Sequence, residues 1–283
     1  MTIKTLEGIS SQEILEVFNH SFSDYFIPFK LTHEQLVDKM KADRSDLSLS
    51  VGAFENEKLV AFILHGFDTI DNKKVVYNGG TGVIPENRGA GLTKQMYSFI
   101  LPLLKEKGID KLILEVISNN VQAIKSYEKS GFKVKRTLAC YKGIVNITMT
   151  NPAIEIKPID TYDWQLMQSF WNVSPTWQNS NNTLNTLKSS NISLGAYVQN
   201  KLVGYIIYNP TSQRIQQIAV YSEFRKQKIG TSLMSALLNG NESVVSVINV
   251  DKNSKKLNGF FEHLGLKNTL DQLEMELKLN TKI

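Results

Sequence analysis

A single cysteine, Cys140, is all that this chain of 283 residues contains, so an intramolecular disulfide is impossible and no multi-cysteine metal site can form. Long apolar runs are equally scarce, and no stretch approaches the roughly 20 residues a membrane helix needs. The opening residues, MTIKTLEGISSQEI, are polar and lack the apolar core of a signal peptide; a cytoplasmic location away from membranes is expected. Lys and Arg never cluster into a basic arm. The net charge of +5 suits an anionic ligand such as a nucleotide, but does not amount to a nucleic-acid footprint, and no nucleic-acid partner is expected. Of His20, His33, His65 and His263, no two stand at a metal-ligand spacing, and no metal is assigned.

What is present is an ordinary globular balance, 42% hydrophobic and 21% charged. The length suits two domains of roughly 140 residues. Internal repetition supports that division. VGAFENEKLVAFIL from Val51 lies against LGAYVQNKLVGYII from Leu194, each reading as two strands joined by a polar turn. PENRGAGLTKQM from Pro85 lies against SEFRKQKIGTSLM from Ser222, which sets Arg88 opposite Arg225. SYEKSGF, with Gly131, lies against FFEHLGL, with Gly265. The three offsets are 143, 137 and 134 residues, so the blocks are collinear and the second copy has shorter loops. Pro152 and Pro158 punctuate the stretch between the copies, and the boundary is expected near residue 150.

In the first copy, residues 11–21 carry Ile14, Leu15, Val17 and Phe18 on one helical face, and Thr32 with Gln35 makes a capping box before a second helix. The hairpin follows, then a strand ending at Val83, a helix over 90–107, a strand over 111–116 and a helix over 120–130. Two closing strands are expected, beginning near Phe132 and Cys140. The sum is an α/β domain around a mixed sheet. In the second copy, the Asn/Ser-rich WQNSNNTLNTLKSSN from Trp177 reads as a loop running into a weak helix.

Arg88-Gly-Ala-Gly-Leu-Thr falls between a strand and a long amphipathic helix. Gly89 and Gly91 allow a tight turn and close approach of a ligand, and the free N–H groups of the loop and first helical turn make an anion site that fits a pyrophosphate. The same fragment also suits a plain glycine turn that opens a helix. Asn120, Ala123 and Tyr127 lie at i, i+3 and i+7 on one helix face. Glu115 interrupts the apolar strand Leu112-Ile-Leu-Glu-Val, where a carboxylate must face water, a partner or a cleft.

VIPENRGAGLTKQM followed by LEVISNNVQAIKSYEKSGF resembles the GNAT superfamily of N-acetyltransferases. Arg88, Gly91 and Thr93 fill its Arg/Gln-x-x-Gly-x-Gly/Ala signature, Thr93 departing at the last position. Asn120, Ala123, Tyr127, Gly131 and Phe132 match every defined position of Asn-x-x-Ala-x-x-x-Tyr-x-x-x-Gly-Phe. The resemblance covers residues 1–150 and, more faintly, 151–283. It implies two tandem domains, each a mixed, splayed sheet flanked by helices, with acetyl-CoA lying where the strand through Thr81, Gly82 and Val83 parts from the strand through Glu115. Backbone groups of the former would bond the thioester carbonyl and pantetheine arm, and the N–H groups of Arg88, Gly89, Ala90, Gly91, Leu92 and Thr93 the pyrophosphate. Asn120 would bond the cofactor arm or cap its helix. Tyr127 would be the general acid and Glu115 the base, with direct acetyl transfer to a primary amine, of a peptide or a small molecule, in a monomer or homodimer. Cys140 is expected to be a buried structural thiol. In the second copy Lys228, Ser254, Leu257 and Phe261 replace Gly91, Asn120, Ala123 and Tyr127, so residues 151–283 are expected to form a degenerate, catalytically silent domain. The rival readings are a non-catalytic acyl-CoA-binding regulator and, less well founded, a dinucleotide-binding oxidoreductase, for which no Gly-x-Gly-x-x-Gly follows the first strand. Phe22 and the aromatic residues after it could wall an acceptor pocket or fill the space between two helices.

Overall fold

The structure is a computed structural model that describes residues 1–24, 30–147 and 149–279, so Tyr25 to Phe29, most of the aromatic segment after Phe22, lie outside the described residues. The chain forms two compact units, Met1–Lys135 with Leu273–Ile283, and Arg136–Gln272. This differs from two consecutive halves parted near residue 150. The first unit ends earlier, and its closing strand is supplied by the end of the chain.

The first unit contains β1 (Thr2–Thr5), α1 (Ser11–Ser21), α2 (His33–Asp43), β2 (Val51–Glu55), β3 (Lys58–Ile70), β4 (Lys73–Val83), α3 (Leu92–Glu106), β5 (Lys111–Ile117) and α4 (Val121–Lys129). Local chemistry sets these bounds. The Ser10 hydroxyl accepts from the Glu13 N–H to start α1, and Thr32 and Gln35 close the expected capping box on α2. Asn56 and Glu57, both left-handed (φ 47° and 66°), make the two-residue turn between β2 and β3 that matches strand twist. The strand order is β1-β2-β3-β4-β5. β3 is buried almost throughout because both its faces are covered. Val60, Ala61 and Ile63 join the core under α3 and α4, while Leu59, Phe62 and Leu64 join the core under α1 and α2.

The second unit holds most of β6 (Lys133–Val145), then β7 (Glu155–Pro158), α5 (Trp164–Gln168), α6 (Asn181–Thr186), β8 (Ile192–Val198), β9 (Lys201–Asn209), β10 (Arg214–Val220), α7 (Ile229–Leu237), β11 (Ser243–Asp251), α8 (Lys255–His263) and the start of β12 (Lys267–Lys278). Its order is β6-β11-β10-β9-β8-β7. β9 repeats the behaviour of β3: Ile206 and Tyr208 face the core of α7 and α8, Tyr205 and Ile207 that of α5 and α6.

Two sequence expectations are corrected. The pair of strands expected from Phe132 and Cys140 is one strand, β6, because no glycine, proline or other turn former interrupts residues 133–142. The place of a second closing strand in the first unit goes to the end of β12, which lies beside β5 and packs Met275 into the core of α3 and α4. The Asn/Ser-rich segment keeps its expected weak helix as α6, but the loop before it is a helical turn, Trp177–Asn179, and another turn, Lys188–Ser190, follows. Buried Trp177 anchors it, and the Ser180 hydroxyl caps α6.

Candidate active site

β4 and β5 run parallel and pair only through Val75–Lys111, Val76–Leu112 and Tyr77–Ile113. Beyond that register β4 stays paired with β3 as far as Val83 opposite Ala61, while its pairing with β5 has ceased. Residues 78–83 therefore form one arm of a V and residues 114–117 the other. Thr81, Gly82 and Val83 lie on the first arm. Packing dictates two glycines here. A Cβ at Gly82 would lie 2.5 Å from the Phe62 ring and 2.9 Å from Ser21, and one at Gly79 would meet the Asp43 carboxylate at 2.6 Å. The arm is held by Asn78, buried, whose amide donates to the Thr81 hydroxyl and the Tyr97 hydroxyl (2.8 Å each) and accepts from the Gly80 N–H.

The loop after Val83 turns through left-handed Gly89 (φ 80°) and Gly91 (φ 70°), the latter capping α3. A Cβ at either glycine would meet nothing within 4 Å, so backbone conformation demands glycine and the space above the loop is open. The Arg88 N–H is already bonded to the Pro85 carbonyl, which removes it from the expected anion site. Among the described residues no backbone carbonyl takes the N–H groups of Gly89, Ala90 or Gly91, and Leu92 and Thr93 begin the helix, where N–H groups have no intrahelical acceptor. This part of the loop fits a diphosphate. The Arg88 side chain is turned the other way, as a latch. Its Nε donates to the Val83 carbonyl, and its two terminal nitrogens to the Ser21 carbonyl (2.9 Å) and both oxygens of Asp24. The bonded guanidinium lowers the Asp24 pKa, and Asp24 raises that of Arg88.

On the second arm Glu115 accepts a 2.7 Å hydrogen bond from the hydroxyl of buried Tyr77. Tyr77 is a site residue the sequence reading missed; an aromatic inside the strand run Val75-Val-Tyr-Asn looks like core until the register sets it near the carboxylate. Asn120 caps α4 by accepting from the Ala123 N–H, the second of its two expected roles. Tyr127 is only 8% exposed and packs edge-on against Tyr97 and Phe132, with ring centroids 6.4 and 5.9 Å away. Burial, with Tyr127 nearby, pushes the Tyr97 hydroxyl well above its ordinary pKa. Cys140 is buried and its thiol pKa is raised by that burial, as suits a structural thiol.

The second unit repeats the geometry. β10 and β11 are parallel at Arg214–Ser246 and Ile215–Val247 only, and then part. Arg225 reproduces the latch, donating to the Val220 carbonyl, the Phe170 carbonyl and the Asn172 side chain. Phe261 is buried at the place of Tyr127, and Ser254 precedes α8 without a side-chain cap.

The pattern of the acetyltransferase (GNAT) family matches residues 13–132, and that of an acetyltransferase (GNAT) domain matches residues 160–277. No curated protein matches the sequence. Solved structures share the fold at low identity. A tandem GNAT protein from the clavulanic acid biosynthesis pathway superposes with a TM-score of 0.71 at 10% identity, over 100% of both chains. A GCN5-related N-acetyltransferase from Sphaerobacter thermophilus gives 0.68 at 13%, over 100% of this chain and 96% of that one. A putative acetyltransferase from Pyrococcus horikoshii gives 0.67 at 13%, over 98% and 89%. With two family matches in series and two units that splay their sheets at the same place, the chain belongs to the GNAT family of acetyltransferases, as two such domains in tandem.

Proposed function

We propose that the first unit moves an acetyl group from acetyl-CoA directly to a primary amine, and that the second unit does not catalyse. The observation that carries the reading is Glu115: a carboxylate on β5 just beyond the point where β4 and β5 part, held by the Tyr77 hydroxyl. Acetyl-CoA would supply an acyl group already activated as a thioester. Backbone groups of Thr81, Gly82 and Val83 align the acyl carbonyl and stabilise charge that develops on its oxygen. The N–H groups of Gly89, Ala90, Gly91, Leu92 and Thr93 hold the diphosphate, and Arg88 keeps their loop pinned to the end of α1. Asn120 fixes the start of α4, and with it the placement of Tyr127.

An amine with a pKa near 10 arrives as an ammonium and cannot attack until it loses a proton. Glu115 takes that proton, and the amine lone pair then forms the new C–N bond. As the C–S bond breaks, Tyr127 gives a proton to the departing sulfur, a contribution of about 10²–10⁴-fold; the adduct nitrogen then gives up its remaining extra proton through solvent to the tyrosinate, which leaves a neutral amide and restores Tyr127. Tyr77 orients Glu115 and touches no reacting atom.

The test is thiol release from acetyl-CoA against a library of amines. Glu115→Gln should lower kcat by 10²-fold or more at neutral pH, about the weight of a general base, and Tyr127→Phe by a similar factor. Tyr77→Phe should lower kcat several-fold while leaving the KM for acetyl-CoA alone. Parent-like rates in both Glu115→Gln and Tyr127→Phe would remove these roles. Tight acetyl-CoA binding with no release from any amine would make the first unit a binding module.

A further inference from the structure

β4 carries one residue more than β3 at the place where the cleft opens. Leu64 faces Gly80 and His65 faces Asn78, so Gly79 has no partner of its own and bulges from the ladder. A bulge lets the strand beyond it bend, and here that strand is the arm of residues 78–83. The Asn78 side chain closes the gap. Its oxygen accepts the Gly80 N–H at 3.0 Å, and one amide hydrogen reaches the Thr81 hydroxyl at 2.8 Å, both across the bulge. The Gly80 bond fixes which end of the amide is oxygen. The second amide hydrogen leaves the strand for the hydroxyl of Tyr97, in the second turn of α3, also at 2.8 Å. Tyr97 is 1% exposed, and its ring meets two others edge-on: Tyr127 of α4 at 6.4 Å, and Phe132, which follows α4, at 5.2 Å. One amide and one phenol therefore span the distance from the arm to the tyrosine of α4.

The fold does not need this polar chain. The second unit has the same bulge, with Gln216 as the extra residue between Ile215 and Gln217 on β10. The 137-residue offset of the Arg88 and Arg225 loops sets Ile215 against Asn78, Ile218 against Thr81 and Met234 against Tyr97; the 134-residue offset of the closing block sets Phe261 against Tyr127. All four positions are apolar there and join the core of α7 and α8, three of them buried. Apolar packing makes the same bulge and the same parting of strands. Buried polar groups cost free energy to desolvate, and apolar side chains of similar shape are commonly as stable in their place or more so. Four polar positions in one unit and none in the other is the pattern expected of groups that serve chemistry.

We propose that Asn78 and Tyr97 are positioning residues for acetyl transfer in the first unit: their hydrogen bond sets the separation between the arm that aligns the acyl carbonyl and the Tyr127 hydroxyl that protonates the departing sulfur. Neither residue touches a reacting atom, and the proposal rests on the reading of Tyr127 as the acid. Without the bond the Tyr97 ring is free to rock against the arm, and Tyr127, packed on its edge, moves with it. A misplacement of about 1 Å at a reacting group costs up to about 10²-fold.

Tyr97→Phe removes the hydroxyl and leaves the ring contacts with Tyr127 and Phe132 in place. Thiol release from acetyl-CoA by the full-length protein, with the amine that turns over fastest as acceptor and rates referred to folded protein from urea unfolding, is the assay. Tyr97→Phe should lower kcat about tenfold and leave the KM for acetyl-CoA unchanged, because the diphosphate loop is untouched. In a Tyr127→Phe background the same substitution should change kcat less than about twofold, since no acid remains to be positioned. Asn78→Leu, of nearly the same shape, should lower kcat at least as much as Tyr97→Phe, and the two together no more than the worse of them, because both break one bond. A merely structural role predicts the same factor from Tyr97→Phe with and without the Tyr127 hydroxyl. That result, or parent-like kcat in either Tyr97→Phe or Asn78→Leu, overturns the proposal and leaves the acid role of Tyr127 standing. Parent-like kcat in Tyr127→Phe, or no release with any amine, removes the acid role and the proposal with it.

Discussion

Acidification should destabilise the first unit, and His65 should carry a defined share of that loss. His65 lies on β3 with no exposed surface, and its ring Nδ1 meets the Leu49 carbonyl at 2.8 Å. A carbonyl only accepts, so the ring donates from Nδ1, and burial favours its neutral form. Burial lowers its pKa to about 4 from the ordinary 6.5, the Leu49 bond offsetting this only in part. The folded pKa is depressed for a base, so the unfolded chain takes up a proton first as pH falls. Stability is therefore whole above about pH 6.5, declines below it, and stops declining near the folded value of about 4. At about pH 4.5 the unfolded histidine is almost fully protonated and the folded one mostly neutral, which costs about 2.5 kcal/mol relative to pH 7.5. His65→Asn keeps a donor near the Nδ1 position and removes the titration. It should cost about 1–2 kcal/mol at neutral pH from lost packing, yet lose about 2.5 kcal/mol less than the parent on acidification. Urea unfolding at the two pH values measures both, and carbon-labelled histidine NMR reads the folded pKa directly. If parent and variant lose equal stability on acidification, or the ring titrates near 6.5, the reasoning fails.

Three further outcomes follow from the cleft. Gly82→Ala should cost about 1–3 kcal/mol by driving a methyl group into Phe62 and Ser21, whereas Gly80→Ala, whose Cβ would sit 3.8 Å from Phe18, should be neutral or slightly stabilising in the same urea series. Arg88→Lys keeps the charge but cannot hold the Val83 and Ser21 carbonyls together. About 1–2 kcal/mol of stability should go with those two bonds, with a raised KM for acetyl-CoA in thiol-release assays; an unchanged KM would mean the latch does not set the loop. Asp24→Asn should change stability little, its carboxylate being exposed to solvent.

Much of the fold is legible in the sequence because it is written locally. The capping box at Thr32, the helix over Ser11–Ser21, both hairpins and the helix behind Asn120 each depend on residues within a few positions of one another. The internal repeat extended that legibility to the second domain. Errors came where chain neighbours stop being spatial neighbours. The lack of a turn former in residues 133–142 favours one strand over two, but nothing there says that the place of the second goes to Leu273 and the residues after it. Trp177 lay hidden in an Asn/Ser-rich stretch whose composition argued for a loop.

The sequence by itself determined the family signatures, the left-handed glycines and the helix face of Asn120 and Tyr127, because spacing along a helix or within a turn fixes those relations. Only the tertiary structure decided that Tyr77 holds Glu115, that Arg88 latches its loop instead of facing an anion, and that Lys226 and Lys228 keep the backbone of the glycines they replace. Those are matters of register between distant strands and of strain borne against local preference. A one-dimensional pattern records the residue at each position, but not the partner that packing brings to it.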